Sequence, residues 1–497
     1  MDTPRYLRPD ARSAYPTESS TEGFHTSTDL HPPGTMTDFR IEKDSLGEVR
    51  VPADALYGAQ TQRALENFPI SGQRFGRRFI EAIATVKRAA AEANGTLGNL
   101  DAAVSGAIAD ASARVAEGEV DDQFPLDIYQ TGSGTSTNMN ANEVIAHIAN
   151  DTLGGDPHVH PNDHVNFGQS SNDVIPTSMH VAARVAIEHE LVPALEHLAD
   201  ALEDKAATFD DIVKSGRTHL MDATPVRLGQ EFGGWAHQVR RGIDRVKIAG
   251  GELEELALGG TATGTGINTH VEFPAKAIDR IAELTGIAFR EAENHFEAQG
   301  AKDAVVSASG ALNTVATSLM KIADDIRWLA SGPTSGIHEI SLPAIQPGSS
   351  IMPGKVNPVQ AEAMMMVAAR VMGNHTTITI GGQRGNFELN VMMPVLAASL
   401  LESITILAGT ARAFTDRCVR GITANEPRAQ ELLEKNPSIA TALNPYIGYD
   451  VASEVAKQAA REGRSVRDVV TERGLVDAET IDRALNVRSM TEPGVPE

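Results

Sequence analysis

The chain is short of cysteine, of aromatic residues and of positive charge, and each shortage excludes something. There is one cysteine, Cys418. No intramolecular disulfide can form, which fits a reducing compartment such as the cytoplasm. A cluster held by three or four thiolates is excluded by the same count. Aromatics make up 4% of 497 residues, so Ala, Leu, Val, Ile and Met must do most of the packing. Ala, Leu and Met lose little on entering a helix, so the composition leans helical. Basic residues number 43 against 66 acidic ones, a formal net charge of −23. That balance argues against nucleic-acid binding, where Lys and Arg must neutralise phosphates. It leaves open a small anionic ligand in a locally positive pocket. No unbroken run of about 18 apolar residues occurs, so no membrane-spanning helix is expected. The start shows no apolar signal-peptide region either.

Core-forming material is plentiful, with 41% apolar and 22% charged residues, as in ordinary globular chains. Residues 1–36 are rich in Pro, Ser, Thr, Asp and Arg with no helical period, and read as a disordered tail. Arg5, Arg8 and Arg12 would suit a transit peptide, but Asp2, Asp10, Glu18 and Glu22 oppose it. Beyond Met36 the apolar period becomes helical. Leu191, Leu195, Leu198 and Leu202 share one helix face, as do Val315, Leu319, Ile322, Ile326 and Leu329. Segments 361–372 and 396–407 are apolar nearly all round, which places them inside a bundle or at a subunit interface. The expected organisation is mainly α: an N-terminal region over 37–170, a long central helical bundle over 171–424, and a small C-terminal helical region over 425–497, opened by the turn at Asn425–Pro427.

Four short polar segments interrupt these helices: QTGSGTSTNMN (130–140), HPNDHVNFGQSSND (160–173), GRTHLMDATP (216–225) and PGSSIMPGKVNP (347–358). Each is dense in hydroxyls, amides and backbone donors, the equipment for holding carboxylates. The last is no phosphate-binding loop. Five residues separate Gly348 from Gly354, and Val356 stands where a magnesium-binding Ser or Thr is needed. The Gly-rich run 259–266 lacks a dinucleotide fingerprint. His158, His160 and His164 have no carboxylate partner on a helix, too little for a zinc site. No metal or organic cofactor is expected.

Together the four segments resemble the fumarase/aspartase superfamily, with GSSIMPGKVNP as its signature loop, over residues from Met36 to the C-terminus. His219, the HPND string and the pair Ser170–Ser171 are most similar to the class II fumarases; aspartate ammonia-lyases tend to carry Gln, Asn and Thr at the corresponding places. The single cysteine separates the chain from iron–sulfur hydratases.

The resemblance implies a three-domain helical fold and a homotetramer whose sites are each shared by three subunits. It implies reversible hydration of fumarate to (S)-malate in the tricarboxylic acid cycle. Ser349 would be the base at carbon, supported by Lys355. His219, paired with Glu362, would act on the opposite face through a water. Ser133, Gly134, Thr135, Asn138, Ser170, Ser171, Asn172, Thr218, Ser350, Val356 and Asn357 would bind the dicarboxylate. His160, Pro161, Asn162 and Asp163 would form a secondary anion site, weakened here because Pro157 and His158 stand where several relatives are basic. Bland alternatives exist for single residues: Glu362 suits a helix N-terminus, and Ser133 and Thr135 suit a turn.

Overall fold

The computed structural model describes residues 38–494, so the tail reading of residues 1–36 lies outside the described span. The chain opens with an antiparallel hairpin, β1 (Phe39–Asp44) and β2 (Gly47–Pro52). Four helices follow: α1 (Ala59–Asn67), α2 (Arg77–Thr96), α3 (Ala102–Glu117) and α4 (Thr135–Leu153). Next come α5 (Ser171–Ala186) and α6 (Val192–Thr208), then a second hairpin, β3 (Val213–Thr218) and β4 (Met221–Arg227). Beyond it lie α7 (Leu228–Glu252), α8 (Phe273–Thr285), α9 (His295–Gly300), α10 (Asp303–Leu329), α11 (Val359–Gly382) and α12 (Met393–Arg417). Five shorter helices close the described chain: α13 (Glu426–Glu434), α14 (Asn444–Ile447), α15 (Tyr449–Glu462), α16 (Val466–Arg473) and α17 (Ala478–Ala484).

The bundle is built by α5, α6, α7, α10, α11 and α12, and the expected periodicities hold within it. Leu191, Leu195, Leu198 and Leu202 are all fully buried, along α6 and the turn that precedes it. Pro193 lies just past the π-helical turn Ile187–Leu191 that joins α5 to α6 without a break, and that widened turn accommodates its missing N–H. On α10 the stripe from Val315 to Leu329 faces inward. Each such fully buried leucine contributes about 2 kcal/mol of transfer free energy. The segment Met393–Gly421 is long and apolar enough to cross a membrane by length and composition, with a mean hydropathy of 1.5 over its most apolar window. It does so although Ser399 and Glu402 interrupt it, leaving no unbroken run of about 18 apolar residues. Its Leu396, Leu400, Ile404 and Leu407 are fully buried in the bundle, which is the environment a nearly all-apolar helix requires.

One continuous apolar cluster runs from Phe75 to Ile422 and so includes α2–α5 as well as the bundle. A separate cluster, Leu433 to Leu485, is the core of the C-terminal helices. On α11 only one stripe is covered, through Ala361, Met364, Ala368, Val371 and Ile378. Met366 and Ile380 on the same helix are 67% and 51% exposed.

Candidate active site

Two of the four polar segments are brought together by the N-termini of α4 and α5. Gly134 caps α4 at φ +72°, and a Cβ there would stand 2.9 Å from the Ile175 side chain of α5. Only glycine allows both the left-handed turn and this approach. Ser133 and Thr135 flank it with their hydroxyls 2.8 Å apart. The Gly132 carbonyl accepts the Met393 N–H at 3.1 Å, which ties this loop to the start of α12.

Ser170 caps α5 in a capping box with Asp173. Asp173 is buried, and its carboxylate accepts N–H groups from Ser170, Gly259 and Thr261. Burial pushes its pKa up against those hydrogen bonds. Asn172 donates to the Ala262 carbonyl at 2.8 Å. Asn138 is buried behind this pair. Its amide NH2 donates to Ser171 Oγ at 3.0 Å and to Asn166 Oδ1 at 3.1 Å. Lys87 of α2, fully buried, donates to Asn166 Oδ1 at 2.9 Å and Gln169 Oε1 at 3.0 Å. Desolvation pushes its pKa down to about 7, with the Asp173 charge opposing.

The segment around His219 reads as a loop in the sequence, and the structure corrects this: it is the β3–β4 hairpin. Thr218 and Met221 pair across it, and His219 and Leu220 form the two-residue turn at φ +57° and +59°. Two successive left-handed residues give the hairpin turn that matches strand twist. Neither residue is the Asn or Gly that normally signals it, which is why the sequence hid it. Thr218 and His219 are therefore exposed at a tip. The base is rigid. Lys214, fully buried, lies 2.9 Å from Glu231 and 3.2 Å from Glu339, itself fully buried. Arg217 grips Glu339 with two bonds of 2.8 and 2.9 Å. Burial pushes the Glu231 pKa up, with the Lys214 charge opposing. Asn436 donates to Ser215 Oγ and to the Ala223 carbonyl, linking the hairpin to the C-terminal helices.

Residues 347–358 form an irregular loop before α11. Its neck is closed by the Gly348 N–H donating to the Lys355 carbonyl at 2.8 Å and by the Asn357 amide donating to the Gly348 carbonyl. A Cβ on Gly348 would come within 2.4 Å of that Lys355 oxygen, so the neck closes only on glycine. Ser349 Oγ accepts the N–H groups of Ile351 at 3.2 Å and Met352 at 3.0 Å. Ser350, Lys355 and Val356 are exposed, Asn357 is half-buried, and Glu362 is exposed in the first turn of α11.

His160 caps the single turn Pro161–Val165, its Nδ1 accepting the N–H groups of Asn162 and Asp163. Those donors are thereby occupied within the chain. His160, Pro161 and Asn162 line a cavity of about 780 Å3 together with Glu42, Lys43, Asp44, Glu143, His147 and His158, a lining of mixed charge. Among the described residues no group of three or more His, Cys, Asp and Glu side chains is placed to hold a metal.

Within one chain, then, the α4 and α5 segments meet. Among the described residues no hydrogen bond joins the hairpin tip or the serine loop to them, or to each other. Glu362 likewise has no hydrogen bond to His219. Sequence reasoning missed Lys87, Asn166, Gln169 and Asp173. The Ser-x-x-Asp box was a usable signal for Asp173. A lysine in an alanine-rich helix gives none, since it reads as a solvated side chain.

Residues 47–373 match the family described as Lyase, and residues 439–492 match the one described as Fumarase C C-terminus. A class II fumarate hydratase of Halobacterium salinarum is 58% identical over 92% of this chain and 98% of its own length. One from Mycobacterium tuberculosis is 53% identical over 91% and 96%. The crystal structure of a class II fumarase from Schistosoma mansoni superposes with a TM-score of 0.89 at 38% identity, covering 91% of this chain and 99% of that one. A fumarate lyase:delta crystallin structure from Brucella melitensis reaches 0.82 at 41% identity, covering 87% and 100%. Matched along nearly its whole described length in both sequence and fold, the chain belongs to the lyase family that contains the class II fumarate hydratases.

Proposed function

We propose that the chain is a hydro-lyase that adds water to fumarate to give (S)-malate, and removes it in reverse, without a metal. The observation that carries this is 58% identity to a class II fumarate hydratase over 92% of the chain. In the dehydrating direction a proton must leave a carbon beside a carboxylate. The electron pair left behind moves into that carboxylate, giving a dianionic aci form. The adjacent C–O bond then breaks as the hydroxyl takes a proton and departs as water.

Ser349 is the proposed base. A serine oxygen is basic only as alkoxide, and an alkoxide survives only where fixed donors point at it. The N–H groups of Ile351 and Met352 already point at this oxygen, and Lys355 adds a positive charge to the same loop. His219, oriented by Glu362, is the proposed group on the opposite face, acting through a water. Ser133, Thr135, Ser171, Asn172, Thr218, Ser350 and Asn357 would hold the two carboxylates, most strongly in the dianionic state.

The hairpin tip and the serine loop need partners from other copies. The uncovered apolar side chains Met366 and Ile380 on α11, with Leu220, Ile351 and Met352 on the two site segments, support a homotetramer with sites shared between subunits. The test is fumarate formation from (S)-malate by the purified protein, followed by ultraviolet absorbance, with and without a chelator. Turnover of aspartate in place of malate would overturn the substrate assignment, and loss of activity in chelator, restored by metal, would overturn metal independence.

A further inference from the structure

The proposed mechanism leaves a fully buried lysine unused directly behind the substrate loops. Lys87 projects from α2 into the seam between α4 and α5, with none of its side chain exposed. Packing alone does not explain it. Taking an ammonium out of water costs several kcal/mol, and an apolar side chain of similar volume would fill the space without that cost. What Lys87 brings is direction. Charged or neutral, it carries a hydrogen for each of two partners, and as the ammonium it cannot accept.

Its two partners must therefore present oxygens, and they do: Asn166 Oδ1 at 2.9 Å and Gln169 Oε1 at 3.0 Å. That fixes which way round the Asn166 amide sits, together with the Gln169 backbone carbonyl, which can only accept. Its Nδ2 turns the other way and donates to the Gln169 carbonyl at 3.1 Å. Asn166 Oδ1 can then only accept: it takes the Asn142 Nδ2 at 3.2 Å and the Asn138 Nδ2 at 3.1 Å. The other hydrogen of the same Nδ2 reaches Ser171 Oγ at 3.0 Å. Ser171 Oγ must accept it, so its own proton is free to point elsewhere. A hydroxyl that accepts from behind and donates forward is suited to a carboxylate. Were the Asn138 amide reversed, its oxygen would face Ser171 and draw that proton inward.

We propose that Lys87 is a positioning residue that sets the hydrogen-bond polarity of the chain Asn166–Asn138–Ser171, so that the Ser171 hydroxyl is held as a donor to a substrate carboxylate. This rests on the proposed function, which makes Ser171 a carboxylate ligand. Asp173 of α5 is the charged neighbour of Lys87, and its oxygens are already engaged by Ser170, Gly259 and Thr261.

The test is a double-mutant cycle on the full-chain enzyme with (S)-malate: wild type, Lys87→Met, Ser171→Ala and the double variant. Lys87→Met should raise KM about tenfold or more, the effect of losing one hydrogen bond to a charged group, with a smaller change in kcat. The double variant should be no worse than Ser171→Ala alone, because both remove the same bond. A wild-type KM in Lys87→Met, or effects that multiply in the double variant, would overturn the proposal. A purely structural lysine would lower yield and melting temperature and leave KM unchanged. Should Lys87→Met fail to fold, Asn166→Ala goes through the same cycle with the same two outcomes. No turnover of malate or fumarate by the wild type would instead bring down the functional reading itself.

Discussion

At the scale of single residues, chemistry depends on how each side chain is solvated. Ser349 sits under two backbone N–H groups, and its oxygen is the proposed acceptor of the proton from carbon. Ser349→Ala should lower kcat by at least about a thousandfold with little change in subunit assembly, as removal of a group acting only in the reaction does. Steady-state kinetics with size-exclusion chromatography checks both halves. His180 shows the opposite use of burial. It is enclosed in α5 with Nδ1 at 2.8 Å from the Glu255 carbonyl, and desolvation pushes its pKa down to about 4. The unfolded imidazole takes a proton near its ordinary value of 6.5. Between those values the unfolded state binds more protons than the folded one. Its contribution is therefore complete above pH 6.5 and is lost as pH falls towards 4, by about 3 kcal/mol in all. Melting temperatures measured from pH 7 to 5 should fall less steeply in His180→Asn, which keeps a donor for the carbonyl, than in the wild type. Parallel curves would show that His180 does not govern this slope.

At the scale of elements, the β3–β4 hairpin is the part that carries the proposed histidine. Its tip carries His219 into solvent, while its base is clamped by Lys214, Arg217, Glu231 and Glu339. Removing one partner of such a buried set strands the others without solvent or counter-charge. Glu339→Gln should destabilise the protein by on the order of 3 kcal/mol, read as a lower urea midpoint. The same variant should lower kcat through the pose of His219. An unchanged midpoint would mean that Lys214 and Arg217 find full compensation from Glu231. The helices of the bundle were legible, because Leu191 to Leu202 and Val315 to Leu329 repeat at helical spacing and that spacing decides which face is buried. The hairpin was not. GRTHLMDATP has neither clean alternation nor an Asn-Gly turn, and its His-Leu turn is held by the buried clamp and by Asn436 from more than 200 residues away.

At the scale of the whole molecule, the site is expected to exist only in the assembled enzyme. The α4 and α5 loops meet within one chain, whereas the hairpin tip and the serine loop project from it with apolar neighbours uncovered. If Ser349 and His219 of one site come from different subunits, two inactive variants can repair each other. Co-folding Ser349→Ala with His219→Asn in equal amounts should restore activity to roughly a quarter of wild type, the share of sites that draw both intact residues by random assortment. Activity no higher than the sum of the two variants alone would place both residues on one chain.

The sequence by itself determined the helical class, the apolar stripes and the polar segments that carry the family resemblance, because periodicity and residue chemistry are local properties. Only the tertiary structure decided that a helix-borne lysine lies buried behind Ser171, that His219 rides on a hairpin, and that Asn166 and Asn138 link α2 to α5. Those facts depend on which groups lose water together when distant segments meet, and no local pattern encodes that.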